Sequence, residues 1–303
     1  MLSYVAVVAT YNRKDALQKS LQHLIDQSVQ PKKIIVIDNH STDGTYGDVI
    51  ESFITQYPHL IAYYRLKENL GGSAGFYYGM REAMQFNTDL IALSDDDAYY
   101  DHDYFANIIK AAEKHHEIQA FSGCVKTYGK IAPGPAKFLI NDKTLQFKHA
   151  ITTDYQHEFY CDAFSFVGPV YRTSLVKQIG FPNKDFFIWY DDTEYSMRMH
   201  RLGYRYLDIP TAIVNHAEKE QPKISLWKEY YGFRNELWSV KRYSSSKTYA
   251  NLYPKYMYLR KCAAVFLKPH YRGHEKKALW IFTKAFHDAE INHLGKTIQP
   301  GSI

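Results

Sequence analysis

The chain contains few cysteines and no pattern that would join them. Cys124, Cys161 and Cys262 are widely spaced, odd in number and form no C-x-x-C pair. This arrangement argues against a disulfide scaffold and against a thiolate zinc site, and it favours a reducing compartment.

Long apolar runs are also missing. No stretch approaches the ~18 uninterrupted apolar residues that a membrane-spanning helix needs. The apolar run at residues 4–10 has no basic region before it and ends at Asn12-Arg13-Lys14, so it predicts a first strand and not a secretion signal. We therefore expect a cytoplasmic protein that is soluble or peripheral at the inner face of the cell membrane.

No linker rich in glycine, serine or proline divides the chain into independent parts. Its 303 residues, of which 46% are hydrophobic and 23% charged, are typical of a globular protein with a full core. We predict a catalytic domain at residues 1–222 and a helical, basic and aromatic extension at 223–303 that packs on it.

The net charge of +5 is unevenly distributed. Residues 223–303 contain 15 Lys and Arg against 5 Asp and Glu, which leaves 22 against 27 for residues 1–222. Between Lys241 and Lys284, eleven basic residues and one acid alternate with aromatics. We predict that this segment docks on anionic lipid. A solvated helical face or a contact in an oligomer is the alternative, and no other feature suggests nucleic acid.

Short apolar runs alternate with helical patterns through the first 130 residues, which predicts an α/β fold with a mostly parallel sheet and flanking helices. The predicted strands are Tyr4–Thr10, Lys33–Asp38, Leu60–Arg65 and Leu90–Ser94. The predicted helices are Asp15–Gln27, Ser73–Met84 and Thr173–Ile179, with more after Lys223. We also expect a loop and weak hairpin at 128–158 and a strand pair at Phe159–Val167.

Polar residues follow the predicted strands, among them Thr10, Asp38 and Asn69. Ligands of open parallel sheets bind outside the carboxyl ends of the strands, so these residues predict a binding crevice. Three carboxylates, Asp95-Asp96-Asp97, end the fourth strand and would repel one another without a cation. Oxygen ligands favour Mg²⁺ or Mn²⁺, although an acidic loop or a helix cap is the alternative.

Three further features carry chemistry. The glycine-rich residues 69–79, which lead into a helix, would let a diphosphate approach the backbone, but they are not an ATPase P-loop. A predicted helix begins with the acidic residues Asp191, Asp192 and Glu194, and the positive amino-terminal end of a helix stabilises carboxylates. An aromatic run precedes these acids, and a sugar ring could stack on it beside a carboxylate that acts as general base. His216 ends another short strand, where it is either structural or a further metal ligand.

Taken in order, these motifs resemble the family 2 glycosyltransferases of the GT-A fold. The matching segments are residues 8–13, 36–44, 69–72, 95–97 and 191–194, and the resemblance spans roughly residues 3–240. Within the family, residues 71–76, 190–194, His216 and 230–235 are most similar to bacterial galactofuranosyltransferases, with rhamnosyltransferases next.

The resemblance implies an inverting enzyme that moves a sugar, galactofuranose from UDP-galactofuranose as the best match, to a hydroxyl of a cell-surface polysaccharide or lipid-linked glycan. It implies that Mn²⁺ or Mg²⁺ is bound by Asp95, Asp97 and His216. The positions that would hold the nucleotide sugar are Thr10, Arg13, Asp38, Asn69, Gly72 and Asp96. Asp192 would be the catalytic base beside Asp191, and the acceptor would contact Trp189, Tyr190 and Glu194. The family often has tryptophan where this chain has Tyr190.

Two other classes of protein stay open at this point. A sugar nucleotidyltransferase also binds nucleotide and Mg²⁺, but it would be expected to have a basic glycine-rich loop near the first strand, which residues 10–13 are not. A non-enzymatic carbohydrate-binding scaffold would account for the 27 tyrosines.

Overall fold

The alternation of apolar strands and amphipathic helices produces a large central sheet in the computed structural model, which describes residues 1–217 and 225–301. The strands are β1 Tyr4–Thr10, β2 Lys33–Asp38, β3 Ile61–Arg65, β4 Leu90–Asp95, β5 Ala98–Tyr100, β6 Ala120–Thr127, β7 Lys130–Ile131, β8 Ala136–Asn141, β9 Gln146–His149, β10 Phe159–Cys161, β11 Ala163–Phe164, β12 Val170–Arg172 and β13 Tyr206–His216. The helices are α1 Lys14–Ile25, α2 Glu51–Gln56, α3 Gly72–Ala83, α4 Tyr104–Lys114, α5 Thr173–Ile179, α6 Asp191–His200, α7 Leu226–Tyr243, α8 Lys247–Leu267 and α9 Glu275–Glu290.

The central sheet has the strand order β10-β13-β6-β12-β4-β1-β2-β3. Strand β1 pairs in parallel with β2 and β4, β2 with β3, and β6 with β13, whereas β10 and β12 run antiparallel to their neighbours. Strand β1 is buried along its whole length, as expected for a strand that helices cover on both faces. The predicted α/β architecture and its first four strands are confirmed.

One prediction about the strands was wrong. Residues 159–167 do not form a strand pair, because β10 pairs with β13 in the central sheet and β11 pairs with β8 in a separate three-stranded sheet. Asp162 lies between the two short strands, where it accepts hydrogen bonds from Leu139 N at 2.8 Å and Arg205 Nε at 2.8 Å. These bonds fix the crossing of the chain from one sheet to the other. The hairpin expected within 128–158 is β8–β9.

Helices α7, α8 and α9 surround a second apolar core, which includes Phe186, Phe187, Tyr231 and Phe282. Two of these residues belong to the segment before α6, so the C-terminal helices pack on the part of the chain that carries the second acidic motif. The predicted boundary at residues 222 and 223 lies outside the described residues, so the division into domains stays a prediction. Within the described ranges, none of the helices has the length and apolar character that crossing a membrane requires.

Asp208 of β13 is a fully buried carboxylate in the core of the sheet. Its Oδ2 atom accepts a hydrogen bond from Ser122 Oγ at 2.8 Å, and its Oδ1 atom is buried without a hydrogen bond. Burial raises the pKa of Asp208 to about 7, against the opposing effect of the Ser122 hydroxyl. The folded protein therefore holds a proton on Asp208 over a pH range in which the unfolded chain has lost it.

We predict that Asp208→Asn removes one pH-dependent component of stability. The pKa of this carboxyl is higher in the folded state, so its contribution to the free energy of unfolding is complete below about pH 4. That contribution is lost as the pH rises to about 7, and the loss amounts to at most about 4 kcal/mol. The free energy of unfolding in urea, measured between these pH values, should fall less steeply for the variant. The exposed Asp142→Asn is the control, and equal slopes for wild type and Asp208→Asn would contradict the prediction.

Candidate active site

The predicted metal ligands meet at the carboxyl edge of the sheet. Asp95 ends β4 opposite Ala9, and His216 ends β13 opposite Ala98, which immediately follows the carboxylate cluster. His216 Nε2 lies 3.2 Å from Asp97 Oδ1. One potential ligand atom from each of Asp95, Asp97 and His216 lies within 4.8 Å of the other two. The pairing of β5 with β13 thus brings together residues that are more than a hundred positions apart.

The three neighbouring carboxylates have different electrostatic environments. Burial, followed by the charge of Asp97, raises the pKa of Asp95. Burial also raises the pKa of Asp96 to about 6, although Arg13 opposes it. At Asp97 the attraction of His216 and Arg13 outweighs burial, and the pKa is lowered. A bound cation would offset both the burial of Asp95 and its repulsion from Asp97, and so would favour the ionised form of Asp95.

The donor atoms fit a divalent cation. They are two carboxylate oxygens and one imidazole nitrogen, a set suited to Mn²⁺ and acceptable to Mg²⁺. Asp97 Oδ1 is buried and makes no well-aligned hydrogen bond, although His216 is close to it. A buried carboxylate oxygen without a hydrogen bond is costly unless a ligand completes its environment.

Arg13 links the nucleotide motif to the carboxylates. Its Nη1 atom lies 2.9 Å from Asp96 Oδ1, and its Nη2 atom contacts Asp97. Asp96 also accepts a hydrogen bond from Thr10 Oγ1 at 2.7 Å. The middle carboxylate is therefore paired with the end of β1, while Asp95 and Asp97 face the cavity described below.

The other residues predicted to hold the nucleotide surround this edge. Asp38 pairs in register with Thr10 and is 1% exposed, and its carboxylate accepts hydrogen bonds from Ser41 N at 2.8 Å and Tyr63 Oη at 2.6 Å. Asn69 Oδ1 accepts a hydrogen bond from Gly71 N at 2.9 Å. Among the six predicted positions, Arg13 and Gly72 line the cavity formed by the described residues. The nucleotide-binding roles stay predictions.

The glycine-rich segment packs against the turn that precedes the second acidic motif. Gly71 has φ +85°, and a Cβ atom there would lie 2.1 Å from the carbonyl oxygen of Phe187. The same oxygen accepts a hydrogen bond from Ser73 N at 3.2 Å. Only glycine fits this conformation and this close approach, so the residue links the two motifs.

The turn at residues 186–190 has an unusual backbone. Phe187, Trp189 and Tyr190 have φ values of +69°, +62° and +71°. Bulky residues rarely adopt positive φ, and each instance costs of order 1–3 kcal/mol unless the surroundings impose it. The turn orients the aromatic side chains that were predicted to contact the acceptor.

Helix α7 imposes that conformation. The side-chain amide of Asn235 donates to the carbonyl oxygens of Phe186, Ile188 and Trp189 at 3.1, 3.0 and 2.8 Å. Its neighbour Arg234 donates to Phe186 O at 3.0 Å, and both side chains are fully buried. The indole of Trp189 also packs on Gly232, where a Cβ atom would lie 2.8 Å from the ring.

Asp191 and Asp192 lie in the first turn of α6, where the helix dipole favours negative charge. Asp192 Oδ1 accepts hydrogen bonds from Thr193 N at 2.5 Å and Thr193 Oγ1 at 3.0 Å, and Oδ2 lies 3.8 Å from Lys137 Nζ. Burial and then the charge of Asp192 raise the pKa of Asp191 to about 7. Asp191 in turn contributes to the raised pKa of Asp95, so the two acidic centres are close enough to interact.

The structure does not bring Glu194 to this site. Its carboxylate is buried, lies 2.9 Å from Arg198 Nη2 and accepts a hydrogen bond from Tyr243 Oη. Glu194 is two residues after Asp192, which is about 200° around the helix, so the two side chains point in different directions. The expected contact with the acceptor is therefore corrected to an internal contact between α6 and α7.

A cavity of about 1460 Å³ extends from the carboxylates to the C-terminal helices. Its walls include Asp95 and Asp97 from the edge of the sheet, Trp189, Tyr190, Asp191 and Asp192 from the turn and the start of α6, and Lys137, Gln146, Glu236, Tyr253 and Arg260 from the β8–β9 hairpin and the C-terminal helices. Lys137 and Glu236 were not identified from the sequence. Neither lies in a motif, because one is in the β8–β9 hairpin and the other in the middle of α7.

The sequence profile of Glycosyl transferase family 2 matches residues 5–169, which is more than half of the chain. The chain belongs to this family. Family membership places it among the glycosyltransferases, the EC 2.4 class of enzymes, as predicted.

Curated relatives include galactofuranosyltransferases. The chain is 30% identical over 214 residues to galactofuranosyltransferase GlfT1 of Mycobacterium tuberculosis (strain ATCC 25618 / H37Rv), and the match spans 66% of each chain. It is 25% identical over 215 residues to GlfT1 of Mycolicibacterium smegmatis, with 70% of each chain covered. The chain thus spans just under two thirds of the length of the mycobacterial relatives matched at 30% identity.

Solved glycosyltransferases share the fold. A structure of GalNAc-T7 with UDP, GalNAc and Mn²⁺ aligns with a TM-score of 0.68 at 14% identity, covering 97% of this chain and 58% of that one. S. aureus TarS with UDP-GlcNAc aligns at 0.59 and 17% identity, covering 96% and 88%. Mannosyltransferase PcManGT from Pyrobaculum calidifontis with GDP-Man and Mn²⁺ aligns at 0.58 and 16%, covering 97% and 88%. The predicted GT-A fold is confirmed.

We predict that Gly71→Ala destabilises the site and that Gly72→Ala does not. A Cβ at Gly71 would meet the carbonyl of Phe187 in a backbone conformation that alanine avoids, whereas a Cβ at Gly72 has nothing within 4 Å. Urea unfolding should show a loss of at least about 1–3 kcal/mol for the first variant and a change within about 0.5 kcal/mol for the second. Equal stabilities of the two variants would contradict the contact.

Proposed function

We propose that this protein is an inverting, metal-dependent galactofuranosyltransferase that uses UDP-galactofuranose as donor. The observation that carries the proposal is that one cavity is lined both by the possible metal ligands Asp95, Asp97 and His216 and by Asp191, Asp192 and Trp189. The mycobacterial relatives named galactofuranosyltransferases support the choice of sugar.

Asp192 is the proposed catalytic base. Its carboxylate is held through Oδ1 by Thr193, which leaves Oδ2 beside Lys137 at the cavity. It would take the proton from an acceptor hydroxyl as that oxygen attacks the anomeric carbon and the diphosphate leaves from the opposite face. One displacement of this kind inverts the configuration and needs no covalent intermediate on the enzyme. Asp191, whose raised pKa favours a proton, is proposed to orient the acceptor.

Asp95, Asp97 and His216 are proposed to hold Mn²⁺ or Mg²⁺. The bound ion would neutralise negative charge on the departing diphosphate. Arg13, which lines the cavity and pairs with Asp97, is proposed to contact the diphosphate as well. The remaining nucleotide contacts are proposed for Thr10, Asp38, Asn69, Gly72 and Asp96, at the ends of the strands and the start of α3.

The proposed acceptor is a glycan that grows at the inner face of the cell membrane, either a surface polysaccharide or a lipid-linked chain. Trp189 is 45% exposed and Tyr190 lines the cavity beside it, so both can contact a sugar ring. Glu236 lines the same cavity, and burial raises the pKa of its carboxylate. Polar groups around an aromatic surface suit the recognition of sugar hydroxyls.

We predict that the binding of UDP depends on a divalent cation. Isothermal titration with UDP should show clear binding with Mn²⁺, much weaker binding with chelator, and a loss of the metal-dependent part in Asp97→Asn. The reason is that a bridging cation supplies much of the attraction for a diphosphate. Metal-independent binding of UDP would contradict the proposed site, and absence of UDP binding would exclude a UDP-sugar donor.

We predict that Asp192→Asn reduces transfer by at least about 10²-fold, the usual range for loss of a general base, while UDP binding with Mn²⁺ stays within about twofold. Release of the nucleoside diphosphate, UDP from UDP-galactofuranose and dTDP from dTDP-rhamnose, across a panel of donors measures transfer and also tests the donor. Asp142→Asn is the control, because it makes the same change at an exposed carboxylate that does not line the cavity. Parallel loss of transfer and UDP binding in Asp192→Asn would indicate a structural role instead.

A further inference from the structure

Helix α8 exposes an apolar stripe along most of its length. Its members are spaced alternately three and four residues apart, which places them on one face. They are Tyr249, Leu252, Tyr256, Leu259, Ala263 and Phe266. The exposed fraction is 60% for Leu252, 65% for Leu259 and 69% for Phe266. Large apolar side chains that are exposed in a continuous row mark an interaction surface.

The stripe is distinct from the face that holds α8 in the fold. Met257 and Val265 are buried in the second core, and the ring of Tyr258 stacks on Phe286 with centroids 4.7 Å apart. Lys261 Nζ lies 4.6 Å from the ring centroid of Phe282. Helix α8 is thus anchored through one face, and the stripe is a second apolar surface that the described residues leave uncovered.

The charged residues of α8 itself all have one sign. No Asp or Glu occurs between residues 237 and 274. Lys255 and Arg260 are exposed and flank the stripe on opposite sides, since successive residues are about 100° apart around a helix. Lys247 and Lys268, also exposed, lie at its two ends. An apolar face of leucine and aromatic residues with cations along its edges is typical of helices that lie in the surface of an anionic bilayer.

We propose that this face of α8 docks on an anionic lipid bilayer, with the helix parallel to the membrane surface. A second copy of the chain is a poorer occupant, because two such stripes would bring the basic residues of two α8 helices together, and α8 has no carboxylate of its own to offset them. The same helix contributes Tyr253, Met257 and Arg260 to the wall of the active-site cavity. If the proposed function holds, docking would present a lipid-linked acceptor beside that cavity, but the docking itself does not depend on the reaction.

Only part of the basic and aromatic segment at residues 241–284 belongs to the proposed membrane surface. Tyr243 contacts Glu194 and Tyr271 donates to Glu229 at 2.7 Å, so these aromatics hold the fold together and do not face a membrane. The surface proposed here is the single stripe on α8 with its flanking cations.

Flotation of the full chain with lipid vesicles tests the proposal. We expect binding to vesicles of phosphatidylglycerol and phosphatidylcholine that weakens with salt, and little binding to phosphatidylcholine alone. The triple variant Leu252→Ser, Leu259→Ser and Phe266→Ser should lose binding. The double variant Lys255→Gln and Lys268→Gln should bind more weakly, by about fivefold for each cation removed. The control is Ile151→Ser, Leu202→Ser and Ile291→Ser, which alters residues of 54%, 48% and 59% exposure elsewhere.

Retention of UDP binding with Mn²⁺, or of the wild-type circular dichroism and unfolding midpoint, shows that each variant is folded. The proposal would be overturned if the triple variant floated with the vesicles as well as the wild-type protein does. It would also be overturned if the wild-type protein bound neutral vesicles as tightly as anionic ones. A dimer in sedimentation that the triple variant loses would overturn it too, because such a dimer would assign the stripe to a second copy. The vesicles contain neither donor nor glycan, so failure here is distinguishable from failure of the proposed function.

Discussion

The hydrogen bonds from the Asn235 amide to the 186–190 turn are the interaction on which the site depends. Three carbonyl oxygens of that turn accept bonds from one side chain, and the buried guanidinium of Arg234 binds one of them as well. On its other side the turn meets Gly71, whose lack of a Cβ permits the contact with Phe187. A backbone with three aromatic residues at positive φ persists because these two contacts enclose it.

This constraint gives the C-terminal helices a direct part in the active site. By fixing the turn, α7 sets the direction in which Trp189 and Tyr190 project and the point at which α6 begins. The start of α6 in turn places Asp191 and Asp192 in the cavity wall. Two neighbouring C-terminal helices thus have different parts: α7 shapes the site for the acceptor, and α8 carries the proposed membrane surface.

A second constraint is the balance of charge at the sheet edge. The register of β1, β2 and β4 brings Thr10, Asp38 and Asp95 to one edge, and β13 adds His216. Arg13 neutralises part of the cluster through Asp96 and Asp97, whereas Asp95 keeps a raised pKa. Within one run of three identical residues, burial and partners thus separate a carboxylate paired with β1 from two that face the cavity.

The central strands and most residues of the candidate site could be predicted from the sequence, because the apolar runs and motifs that indicate them are local. Apolar runs of five to seven residues predicted the central strands, and the polar residues at their ends predicted the crevice. The grouping of Asp95, Asp97 and His216 followed from the resemblance to the family. Other features could not be predicted in this way. Lys137 meets Asp192 from a hairpin in a different sheet. Glu236 lines the cavity from the middle of α7, just after the segment 230–235 that carries part of the resemblance but does not include it.

By itself the sequence determined the order of strands and helices, the family and the residue types available for metal and base chemistry, since these depend on short-range periodicity and motif spacing. Only the tertiary structure decided which side chains share a space. It turned Glu194 inward to Arg198 and Tyr243, and it left one face of α8 exposed while the opposite face was buried. Such outcomes depend on how distant helices and sheets pack, and burial, unlike periodicity, is a property of that packing.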